Sequence, residues 1–179
     1  MKNLFFIFLI IFLSQCRPKG DNTITQFHGK PEVPSSIKET HAYLLAQLHK
    51  MLLYKDSSGR VAKKLEELMQ HHFKEEEDFI LPPLGLLPLL AKGQMPEQSK
   101  DVMLLCEKVQ TMMDHMSAEH QLIEAYIEEL KQASDNENQP SIIEFENEVI
   151  QHAKSEEEVF FPTSILIGKY LELKVVNKP

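Results

Sequence analysis

His72-Phe73-Lys74-Glu75-Glu76-Glu77-Asp78-Phe79-Ile80-Leu81-Pro82 is a stretch this chain states twice. The second version is His152-Ala153-Lys154-Ser155-Glu156-Glu157-Glu158-Val159-Phe160-Phe161-Pro162. Each has a His, a Glu four residues on, further acids, bulky apolar residues and a closing Pro. Each also has an upstream companion: His41 lies 31 residues before His72, and His120 lies 32 before His152. A single His-x3-Glu is common on helix surfaces. Two copies in register are not.

Working outward, the chain reads as amphipathic helices. The first opens at Ser36-x-x-Glu39, a capping-box signature, and runs to about Tyr54 with His41 on its apolar stripe. The second carries Val61, Leu65, Met69, His72, Glu76, Phe79 and Ile80 on one face. Glu76 lies only about 40° round from His72, whereas Glu77 lies about 140° away and reads as solvated charge. The third helix spans about 99–133 with His120 on its core stripe and His115 on its surface. Pro140 and the Ser141-x-x-Glu144 box open the fourth, whose stripe is Phe145, Val149, His152, Glu156, Val159 and Phe160. Residues 163–176 read as a short last helix. The Pro-broken apolar segment 81–93 is expected to pack over one end of the bundle. Short connections between such helices imply an all-α, antiparallel up-and-down four-helix bundle over 35–176.

Residues 1–15 are set apart. Lys2 precedes an unbroken apolar run from Leu4 to Leu13, too short for a comfortable membrane span. Leu13-Ser14-Gln15-Cys16 resembles a bacterial lipobox, which makes 1–15 a lipoprotein-type signal peptide and Cys16 the lipidated residue. An ordinary secretory signal or short anchor is the alternative. Residues 16–34, polar with Pro and Gly, read as a flexible tether. The expectation is export and lipid anchoring to the cell envelope, on its periplasmic or outer-surface side. Cys106, the only other cysteine, lies on an apolar stripe and is expected to be buried packing. The net charge of −8 and the lack of a basic run argue against nucleic acid as a partner.

An acid in a line of Leu and Met needs a partner. Imidazole and carboxylate one turn apart can reach a single ion, and a carboxylate can bridge two. His41, His72, Glu76, His120, His152 and Glu156 thus point to a pair of cations inside the bundle, where di-iron and di-manganese carboxylate sites are built. Imidazole with carboxylate suits iron and, less selectively, zinc or copper.

These residues, with Glu-Glu-x-x-x-Leu-Pro at Pro82 and its echo at Pro162, resemble the hemerythrin-like, His-His-Glu cation-binding domain over about 37–174. The resemblance implies two non-haem irons, each holding two of the four His and sharing Glu76 and Glu156, with an oxo or hydroxo bridge. Zinc or manganese are the alternative metals. A small gaseous or peroxide ligand, such as O2, NO or peroxide, takes the remaining position. The oxygen-carrying branch has a second His four residues from the third-helix His. Here those positions are Met116 and Glu124. The four-His, two-Glu set is more similar to the iron-sensing and iron-centre-repair branches, without the Cys-containing N-terminal region of the latter. Glu124 is a candidate outer acceptor or extra ligand. The functional expectation is a di-iron protein that binds or senses O2 or NO at the envelope. The alternatives are a di-iron enzyme (peroxidase, oxidase or NO-processing), or a metal-free or zinc-bound interaction module docking through the 81–90 loop.

Overall fold

The apolar stripes close on one another in two clusters stacked along the bundle, with a polar layer between them. The computed structural model describes residues 26–27, 31–55, 57–135 and 138–176; the signal segment, Cys16 and most of the tether lie outside the described residues. The helices are α1 (Ser35–Met51), α2 (Ser58–Glu75), α3 (Leu87–Leu90), α4 (Ser99–Ala133), α5 (Gln139–Ser155) and α6 (Phe161–Val176). One cluster joins Leu44, Leu48 and Met51 of α1 to Val61–Met69 of α2, Ile123–Leu130 of α4 and Ile142–Val149 of α5. The other joins Ile37 to Ile80, Leu81, the first half of α4 and the α6 residues Phe161, Ile167 and Leu171. Since α1 runs from the second cluster to the first, α2 back again, α4 down and α5–α6 up, successive long helices reverse direction. Full burial of each Leu or Phe in these layers contributes about 1.5–3 kcal/mol.

Neither capping box forms. α1 begins one residue before Ser36, with Pro34 at the N-cap position and its carbonyl accepting the Ile37 and Lys38 N–H groups at 3.0 and 3.4 Å. α5 begins at Gln139, so Ser141 lies inside the helix, and the expected Pro140 occupies its first turn. In both cases the chain entering the helix, rather than the Ser hydroxyl, sets its start.

The largest departure from the sequence reading is where each repeat ends. Glu76–Ile80 and Glu156–Phe160 are single π-helical turns. The Leu81 N–H donates to the Glu76 carbonyl, five residues back, at 2.9 Å, and the Phe161 N–H does the same to Glu156. Each π turn sits just before a proline, Pro82 or Pro162, whose ring would clash with the carbonyl four residues earlier in a regular α-helix. After Glu156 the widened turn moves the buried position from the fourth residue to the fifth, whereas after Glu76 both the fourth and fifth residues, Ile80 and Leu81, are buried. Val159, expected in the core, is therefore 54 % exposed and Phe160 only half-buried, while Phe161 takes the interior position at 2 %.

α6 is not short. It leaves the π turn directly, runs sixteen residues and packs along α4. A Cβ at Gly168 would stand 2.5 Å from the Cys106 Cβ, so the two helices approach there at backbone distance. Cys106 is buried as expected, and burial pushes its thiol up to about 11, against a smaller opposing pull from the Gly168 backbone.

The apolar segment caps the second cluster. Leu81, Pro82, Pro83, Leu84 and Leu86 are buried in and around a 3-10 turn over Pro82–Leu86, leaving Leu87 and Pro88 facing out. The segment thus packs over the bundle end as expected, which leaves little of it for the docking surface of the alternative reading. Val33 is buried in the same cluster, two residues before the expected domain start, and Gln26–Phe27 (β1) pair in parallel with Met95–Pro96 (β2). Gly85 lies against the chain leading into α1: a Cβ there would fall 1.9 Å from the Glu32 carbonyl oxygen. Two backbones cannot yield as a side chain can. Gly85→Ala is expected to cost about 1–3 kcal/mol in urea unfolding, as overpacked core sites do. A Gly85→Ala protein as stable as the parent would contradict this packing.

Candidate metal centre

Each long helix places one His in the layer between the clusters. His41 sits between Ile37 and Leu44, His72 between Met69 and Ile80, His120 between Met116 and Ile123, and His152 between Val149 and Phe161. Glu76 and Glu156 are the first residues of the two π turns. All six are buried, none more than 8 % exposed, so the structure brings together every ligand candidate read from the repeat.

The six form two overlapping donor sets. His41 and His152 join Glu76 and Glu156 in one; His72 and His120 join the same two Glu in the other. His41 Nε2 stands 3.4 Å from Glu156 Oε1 and 3.5 Å from Glu76 Oε2. His72 Nε2 is 3.4 Å from Glu76 Oε1, and His120 Nε2 is 3.4 Å from Glu156 Oε2. His152 Nε2 lies closest, 2.8 Å from Glu156 Oε1. Two donors each about 2.0–2.2 Å from one ion stand roughly 3.0–3.5 Å apart, so most of these gaps match donors that share a cation.

Orphaned atoms give an independent test of fit. Glu76 Oε1 and Oε2, Glu156 Oε2, His120 Nε2 and His152 Nε2 are buried with no hydrogen-bond partner. Each such atom left unsatisfied costs about 1–3 kcal/mol, and more where charge is involved. Five of them converging on one layer are explained by cations and by little else. The donor set fits.

The outward ring nitrogens specify the tautomer. His41 Nδ1 donates to Glu77 Oε1, His72 Nδ1 to Glu119 Oε2, and His120 Nδ1 to Glu157 Oε1, each at 2.8 Å. An ionised carboxylate can only accept, so Nδ1 carries the proton and the Nε2 lone pair faces inward. Phe73 stacks on the His41 ring at 4.0 Å and 3°, holding its plane.

These three acids correct the sequence reading. Glu77 is not a solvated charge: it reaches across to His41 on α1, and its side chain is 32 % exposed. Glu124 is exposed on α4, and the acceptor that helix supplies is Glu119. A signal was present, since Glu77 and Glu157 occupy the same place in the repeat, five residues after its His. Assuming an ideal helix discarded it. His115 is exposed, as read.

The fourth His breaks the pattern. Thr40 stands where Glu119 stands in the other half, and its hydroxyl donates to the Ser36 carbonyl at 2.9 Å. Among the described residues, no carboxylate pairs with His152 Nδ1. A surface groove of about 430 Å³ opens beside this ring instead, lined by Ser36, Thr40, Tyr43, Gln151 and Ser155 among others.

The two Glu differ in electrostatic state. Burial, and then the charge of Glu156, push the Glu76 carboxyl well above its ordinary value. Burial would also raise Glu156, but the surrounding imidazoles of His120, His152 and His41 outweigh it and hold its carboxyl well below. Burial lowers His72 against the pull of Glu119, while Glu156 and Glu157 outweigh the burial of His120 and raise it. Without a cation, one carboxylate takes the imidazole contacts and the other is driven towards protonation.

Comparison with curated proteins and with solved structures returns no match. The helical bundle, the paired His-x3-Glu turns and the doubly shared Glu side chains agree with a family model that matches residues 33–164: the chain belongs to the hemerythrin family and carries its HHE cation-binding domain.

Proposed function

We propose that this protein holds two iron ions in the layer formed by His41, His72, Glu76, His120, His152 and Glu156, and that it binds or senses O2, NO or a related small ligand. The observation that carries the reading is that both donor sets contain both Glu, so the site is built for a pair of ions. When bound, a di-iron pair supplies redox chemistry and a coordination position for a small ligand. The chain's own residues present four inward Nε2 atoms, hold three rings by their outward Nδ1–H groups, and exclude water with the two apolar clusters. Hard carboxylates beside imidazoles favour iron or manganese over softer sites, though zinc and copper compete on affinity.

The groove beside His152 supports a second reading. A diatomic ligand needs far less room than about 430 Å³, so a di-iron enzyme that uses peroxide or oxidises a small substrate is the alternative. The lipobox-like Leu13-Ser14-Gln15-Cys16 supports attachment to the cell envelope through lipid on Cys16, with the ligand met on the outer side.

Metal analysis of the purified protein, followed by exposure of the reduced form to NO and O2, tests this. Two irons per chain and a new visible absorption with NO are expected. A single ion per chain, or an iron form inert to both gases, would refute it. Steady consumption of peroxide would select the enzymatic reading.

A further inference from the structure

The outer face of the α2/α4 pair carries a second, separate set of donors. His71 and Glu75 are one turn apart on α2; His115 and Glu119 are one turn apart on α4. They face each other across the helix pair. His115 Nε2 is 2.9 Å from Glu75 Oε2 and 3.6 Å from Glu119 Oε1, and His71 Nδ1 is 3.8 Å from Glu119 Oε1. His71, Glu75 and Glu119 each bring a donor atom within 4.8 Å of the others. We propose that His71, Glu75, His115 and Glu119 form a surface site for one divalent cation of the zinc class, joined to the buried centre through Glu119.

Three observations support the site. First, the gaps suit an ion better than hydrogen bonds. Only the 2.9 Å contact is short enough for one; the gaps of 3.6 and 3.8 Å are too long. Donors about 2.0–2.1 Å from a tetrahedral ion stand roughly 3.3–3.4 Å apart, within the observed spread. Second, the two carboxylates have no fixed counter-charge. Among the described residues, the ion pairs of Glu75 and Glu119 are with histidines only, and the adjacent Lys74 is engaged by Asp78. Third, the cluster is not a by-product of the internal repeat. The matching positions in the other half are Gln151, Ser155, Ser36 and Thr40, which line the groove beside His152. One flank of the bundle is built for a cation and the other for an opening.

Glu119 gives the site a consequence. Its Oε2 holds His72 Nδ1–H while its Oε1 faces the outer donors. An ion on Oε1 draws charge from the carboxylate and loosens its hold on His72, so outer occupancy is felt at the inner ligand.

The test is calorimetric titration of Zn(II) into the full-length protein, its His71→Ala/His115→Ala double variant, and a His49→Ala control. His49 also pairs with a Glu, Glu66 at 2.8 Å, but without converging partners. His71 and His115 are 63 % and 51 % exposed, so their loss should leave helix content unchanged by circular dichroism. The expected result is one zinc equivalent fewer in the double variant than in the parent, with the control equal to the parent. Glu75→Gln, which keeps side-chain size, should lose the same equivalent. Equal zinc stoichiometry and affinity in parent and double variant would overturn the proposal, as would an equal loss in the control. Zinc entering the buried centre cancels in the comparison, so the outcome does not depend on the di-iron reading.

Discussion

Replacing Glu156 by Gln is expected to remove both cations from the buried centre, whereas replacing His41 by Ala removes one. Glu156 and Glu76 belong to both donor sets, but each His belongs to one. His41→Ala or His152→Ala should leave the His72/His120 position loaded, and His72→Ala or His120→Ala the reverse. The acids that hold the outward nitrogens form a third tier. Glu77→Ala, Glu119→Gln and Glu157→Gln keep every ligand but free one ring, and each should weaken loading by roughly 10–100-fold. Metal-to-protein ratios, taken alongside helix content, separate the three tiers. If Glu156→Gln retained a full equivalent at the buried layer, or His41→Ala lost both, the shared-carboxylate arrangement would be wrong. A Glu77 variant that loads as the parent does would return that residue to the solvated role its place in an ideal helix suggests.

Stripping the metal is expected to lower the melting temperature by about 10 °C, and by more at higher pH. An ion present at about a thousand times its dissociation constant stabilises the folded state by about 4 kcal/mol. In a chain of this size each kcal/mol moves the midpoint by about 2–4 °C. The pH dependence follows from Glu76. Its folded value is raised above the ordinary 4.5, so above that pH the metal-free folded state binds more protons than the unfolded chain. Its contribution therefore declines as pH rises towards the raised folded value. Glu156 is depressed, so its contribution is complete above 4.5 and is lost only on acidification. His72, lowered, and His120, raised, act in opposite senses through the region around 6.5. Metal binding itself releases protons, so the loaded form gains with pH while the stripped form loses. Melting both forms at pH 5.5 and pH 8 reads the difference directly; a gap that stays constant or narrows would contradict the raised Glu76.

The six candidate ligands were legible because helical spacing is a local property. His72 and Glu76 share a face of any α-helix, and the second copy eighty residues on separated that pairing from chance. The stripes through Leu44, Leu65, Val109 and Phe145 were legible for the same reason, since burial of a stripe needs no knowledge of its neighbour. The α4 limits, the buried Cys106 and the capping role of the Pro-rich segment followed from the same local logic.

What the tertiary structure decided is what depends on angles between helices and on departures from 3.6 residues per turn. Pro82 and Pro162 are plain in the sequence, but whether a helix meets such a proline by ending, kinking or widening depends on what it packs against. Here it widens. That choice places Phe161 rather than Phe160 in the core. The partners Glu77, Glu119 and Glu157 come from helices other than those of the His they hold, so no spacing within one helix could assign them. The same holds for His71 and Glu75, an ordinary surface pair until α4 sets His115 and Glu119 against them. The sequence by itself determined which residues gather at the centre; only the packing of the helices determined what holds them in place.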